Sequence, residues 1–130
     1  MIRLKKLVLV LMVVVSLVSF SEYSELLEAY VSYPEEFENS EGFKENKVGM
    51  IENAESFISK GYMKADLLKA DIELDFTFWS FMDKTTKYAV LVCMAVYMYD
   101  KTDNTDMMIK VDNTTVFWCS SGTIISKRVY

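Results

Sequence analysis

Near Ala70 the apolar residues change from helical spacing to strict alternation, and this change of period constrains the fold more than any other feature of the chain. Upstream, Tyr23, Leu26, Leu27, Tyr30 and Val31 fall on one helical stripe, with Glu22, Glu25 and Glu28 off it. The sole proline, Pro34, follows its end, and residues 33–41 read as a polar, Glu-rich connection. Phe43, Lys47, Met50, Ile51, Ala54, Phe57 and Ile58 predict a second helix, with Ser40 as its N-cap and Gly61 as its left-handed stop. Gly49 within it costs roughly 1 kcal/mol relative to Ala. Downstream, Ile72, Leu74, Phe76 and Phe78 alternate with Asp71, Glu73, Asp75 and Thr77, the pattern of a half-buried strand. Residues 88–99, apolar at nearly every position, predict a second strand after a turn at 83–86. Residues 107–119 and 123–130 predict two more, with a polar loop at 100–106, while 62–68 reads as either helix or strand.

Helix, helix, then four strands joined by short turns predicts an α+β domain in which two N-terminal helices pack on one face of a four-stranded antiparallel meander sheet. In general shape this resembles the cystatin-like and NTF2-like class, in which helices fill the concave side of a bent sheet. The resemblance is one of architecture and implies a fold, not an activity.

Residues 1–21 read as an export signal of the bacterial Sec type. Arg3, Lys5 and Lys6 precede the apolar run from Leu7, and Ser19-Phe20-Ser21 places small residues ahead of a cleavage point before Glu22. The run falls short of the about 20 apolar residues that a spanning anchor needs, and no Cys follows it for lipid attachment. The expectation is a single domain over residues 22–130 in a periplasm or outside the cell, free of the membrane once the signal is removed.

The leader holds three of the fourteen basic residues and none of the nineteen acidic ones, so residues 22–130 carry eleven bases against nineteen acids, a net of −8. That argues against nucleic acid and anionic lipid as partners, since both call for a basic surface. All the excess lies in residues 22–55, ten Glu against Lys44 and Lys47; it reads as a solvated acidic face or as a docking surface for a basic partner. The chain has no His, which excludes Ser-His-Asp and Cys-His catalysis and imidazole-bound zinc.

If 71–78 and 88–99 pair across the turn at 83–86, the face opposite the core gathers Phe81, Tyr88 and Trp118 in one row and Trp79, Val90 and Val116 in the next. A sheet with one wet face should alternate cleanly, yet the second strand is apolar on both sides, so this outer face predicts a covered second core, a surface for self-association or a protein partner, or a site for a small apolar ligand. The same register sets Cys93 and Cys119 six residues out of step, about 20 Å at roughly 3.3 Å per residue, too far for a disulfide. The alternative is a hairpin that breaks 107–119 at Asp112-Asn113 and voids that register. Asp100, Asp103, Asn104 and Asp106 could contribute to a calcium site but match no EF-hand spacing. Asp75 and Asp112 form an imaginable carboxylate pair with nothing evident to raise a pKa. No metal, cofactor or catalytic group is signposted.

The reading that follows is an exported, non-enzymatic binding protein that meets a protein partner or a second copy of itself through Trp79, Phe81, Tyr88, Val90, Val116 and Trp118. The alternative is an NTF2-like pocket, lined by Phe57, Phe76 and Leu91, that holds a small apolar ligand and performs at most weak catalysis.

Overall fold

The computed structural model describes the backbone from Phe20 and the side chains from Tyr23, both through Tyr130. Apart from its last two residues, the expected leader lies outside the described residues. Helix α1, Phe20–Ser32, buries the stripe of Tyr23, Leu27, Tyr30 and Val31. Pro34 does more than stop it: with its fixed φ and no N–H to satisfy, Pro34 opens a short helix α2, Pro34–Glu38. Helix α3, Glu41–Ser59, starts after Ser40 and buries Phe43, Met50, Ala54 and Phe57. Gly61, at φ 78°, turns the chain out of it.

The ambiguous stretch at 62–68 contributes strand β1, Met63–Asp66, paired antiparallel with β2, Asp71–Leu74. There the expected alternating strand ends. The Asp75 carboxylate accepts the Phe78 N–H at 2.9 Å and caps helix α4, Phe76–Phe81, instead of continuing as a strand residue. Asp83 does the same for the next element, accepting the Thr86 N–H at 2.8 Å to open helix α5, Lys84–Thr102.

Helix α5 is the main correction to the sequence reading, because 88–99 was expected to be the second strand. A run apolar on every side suits a helix enclosed by protein as well as it suits a two-sided strand, and a length of 19 residues belongs to the helix. No residue of 88–96 is more than 3 % exposed. α5 packs against both α1 and α3, while α1 also touches β5 and α3 touches β1, so the three helices share one core with the inner face of the sheet.

Strands β3, Met107–Val111, β4, Thr114–Ser120, and β5, Thr123–Lys127, complete a five-stranded sheet in the order β1-β2-β3-β4-β5. The expected four-stranded antiparallel meander is therefore a five-stranded mixed sheet. β2 and β3 run parallel, with Ile72 beside Ile109, because the connection through α4 and α5 carries the chain back to the starting end of the sheet. The predicted strand at 107–119 breaks at Asp112-Asn113, whose φ values of 48° and 64° make the doubly left-handed turn of a tight hairpin. Met63, Ile72, Leu74, Met107, Ile109, Val111, Phe117 and Cys119 face the core.

Candidate functional site

The outer face expected from the sequence does not form as one surface, since two of its six residues lie on α5. Tyr88 and Val90 are buried there, with the Lys127 ammonium 5.7 Å from the Tyr88 ring. Lys127 is held by Glu28 Oε1 at 3.2 Å and Ser24 Oγ at 3.3 Å, which ties β5 to α1. Trp79 is also buried. The Lys87 ammonium stands 5.2 Å from its ring and donates to the Tyr130 carbonyl at 2.5 Å. Burial lowers the Lys87 pKa, with Asp83 pulling it back up. Val116 is the extra residue of a β-bulge, turned inward as the pairing steps from Ile109–Phe117 to Lys110–Thr115. Phe81 is exposed at the end of α4, and Trp118 is exposed on the sheet.

Trp118 is thus the one residue of the six on the solvent face of the sheet. Alternation and pairing place Asp66, Asp71, Met108, Trp118 and Ser126 in one row across that face, and Lys64, Glu73, Lys110 and Thr115 in the next. A second bulge, at Ile125, leaves that side chain 50 % exposed beside the Trp118–Ser126 pair. Trp118 is 37 % exposed and borders a hollow of about 220 Å³ lined also by Lys69, Asp71, Asp106, Met108 and Ser120. The wall of that hollow is fixed: Met108 N–H donates to the Ala70 carbonyl at 2.8 Å, and Asp106 Oδ1 accepts the Ser121 N–H at 2.8 Å. The site is an aromatic platform with a thioether beside it, next to a row of alternating charge. Met108 and Ile125 were missed because the sequence register ran 107–119 as one strand; the Asp-Asn pair was the signal that could have folded Met108 back onto Trp118.

The other candidates resolve locally. Cys93 and Cys119 are buried free thiols on α5 and β4, and Cys119 Sγ–H donates to the Thr105 carbonyl. Burial raises both pKa values, Cys119 to about 12, so neither is poised as a nucleophile. In the 100–106 segment, Asn104 Oδ1 accepts the Asp106 N–H, and Asp100 pairs with Lys47 and Lys101, each at 3.8 Å. Among the described residues no group of three or more Asp, Glu, Cys or His could hold a metal ion. Asp75 and Asp112 do line one hollow, of about 360 Å³ with Glu73, but Asp75 is engaged as the α4 cap. Phe57 and Leu91 are fully buried whereas Phe76 is 57 % exposed, so the three do not gather around a shared pocket. Compared with known protein families, with curated proteins and with solved structures, the chain matches none.

Proposed function

We propose that the protein is an exported, non-enzymatic interaction protein whose docking surface is the outer sheet face around Trp118. Its partner is a protein surface that sets an apolar side chain beside Trp118, Met108 and Ile125 and meets the Lys64, Glu73 and Lys110 row with complementary charge. The observation that carries this reading is the indole of Trp118, solvent-exposed on a rigid strand next to a hollow, while Trp79 is sealed in the core. Rigid aromatic side chains on regular elements are the commonest binding hot spots, and alternating charges nearby fix orientation more than strength. Their mixed sign also disfavours nucleic acid and anionic lipid on this face.

The test compares the wild type with Trp118→Ser by sedimentation and by capture of partners from the compartment the protein occupies. The proposal requires that a specific partner of the wild type be lost in the variant while the melting curve barely moves. A self-associating wild type that Trp118→Ser converts to monomer would make the partner a second copy. Identical mass and identical captured proteins in both would defeat the proposal.

A further inference from the structure

The described residues hold seven methionines and two cysteines, and all but one of these sulfur side chains are sealed in the core. Cys93 and Cys119 are buried, and burial raises the pKa of both, which withholds the thiolate that an oxidant attacks first. Met50, Met63, Met82, Met94, Met98 and Met107 are at most 6 % exposed. Met108 is the exception. Strand alternation turns it to the outer face of β3 while turning Met107, its neighbour in the chain, into the core.

The one sulfur open to solvent falls on the Trp118 platform. Met108 stands directly opposite Trp118 in the pairing of β3 with β4, has Asp71 opposite it on β2, and lines the same hollow as the indole. It cannot withdraw from that face. β3 is paired on both sides, and the Met108 N–H is held by the Ala70 carbonyl at 2.8 Å. A thioether in this place is soft, apolar and suited to an aromatic neighbour, whereas its sulfoxide is polar and carries a strong oxygen acceptor.

We propose that Met108 is an oxidation site that switches the docking face: a peroxide converts its thioether to the sulfoxide and releases the partner, and reduction of the sulfoxide restores docking. The inference rests on the reading of the Trp118 face as the docking surface. In the oxidation, a lone pair of Met108 Sδ attacks one peroxide oxygen, the S–O bond forms as the O–O bond breaks, sulfur gives up two electrons, and the second oxygen leaves as water with both protons. Covered by an apolar side chain of the partner, the new oxygen loses its water and gains no donor, so oxidation penalises the docked state and not the free one. The other sulfurs are shielded from the same exposure, so the surface changes while the core does not.

The test treats the folded protein with hydrogen peroxide. After digestion at lysine, residues 102–110 form one peptide that holds both Met107 and Met108, and its fragment ions show which of the two has gained oxygen. Oxygen should appear on Met108 in native protein and on Met107 only after unfolding. Protein oxidised at Met108 should melt close to untreated protein and hold the partner that untreated protein captures about tenfold more weakly, the cost of one buried acceptor left without a donor. Methionine sulfoxide reductases of both stereospecificities should restore capture, which damage to an indole or a thiol would not allow. In Met108→Leu, capture should be the same before and after peroxide. Oxidation spread evenly over the methionines, full capture by protein oxidised at Met108, or a loss that the reductases do not reverse would overturn the proposal. Failure of the docking reading shows separately, in untreated protein, as capture that Trp118→Ser leaves unaltered; that result removes the switch along with the face, whereas full capture after oxidation removes the switch alone.

Discussion

Two capping carboxylates, Asp75 and Asp83, and two buried thiols mark positions where local chemistry decides structure. Asp83 caps the helix that forms the middle of the core, so Asp83→Ala should cost about 1 kcal/mol in a urea titration, the usual value of such a cap. Its hydrogen bonds from Thr86 lower its pKa, and the stability it supplies is therefore present above the unfolded value of about 3.9 and lost as pH falls through the folded one. The buried thiols work at the other end of the scale. Cys93 and Cys119 have pKa values raised by burial, as do Tyr23 and Tyr30, so the folded chain keeps protons that the unfolded chain releases. Their stabilisation is complete below the unfolded thiol value of about 8.5 and declines as pH rises above it. Lys87, with its pKa lowered, acts in the opposite sense near its ordinary value and is one group against these four and Tyr99, which burial also raises. Chemical denaturation across alkaline pH should show a falling midpoint. Both thiols should resist a thiol reagent in native protein and react fully after unfolding without reductant.

At the scale of elements, α5 separates what could be read in the chain from what could not. Its apolar run was visible, but periodicity vanishes when every side is buried, and only length and the Asp83-x-x-Thr86 start distinguished helix from strand. The stripes of α1 and α3 were legible because each helix buries one side and leaves the other in water, whereas the short α2 between them was hidden in a polar, Glu-rich stretch. β2 was legible for the same reason, as far as the cap at Asp75. The misread element shifted the register on both sides of it, which is why Trp118 could be singled out while Met108, its cross-strand neighbour, could not. Leu91 is fully enclosed, so Leu91→Ala should cost about 2 to 5 kcal/mol by thermal or chemical denaturation. The Asp112-Asn113 hairpin gives a milder test. Asn113→Val, placing a β-branched residue at φ 64°, should destabilise by about 1 to 2 kcal/mol, whereas Asn113→Gly should be tolerated.

For the molecule as a whole, the two tryptophans have opposite roles. Trp79 lies in the core against the Lys87 ammonium, while Trp118 stands on the solvent side of a sheet whose other side is committed to helices. Trp79→Ser should cost about 3 to 5 kcal/mol and leave the proposed docking surface unchanged in any molecule that still folds. Trp118→Ser should do the reverse, because the Trp118 side chain stands outside the cluster of residues that forms the core. The most direct measurement is side-by-side partner capture and sedimentation for Trp118→Ser and wild type, at a temperature where both are folded. The account predicts that the variant melts with the wild type and loses its partner or its self-association. A variant that melts far lower, or that retains every contact the wild type makes, would contradict it.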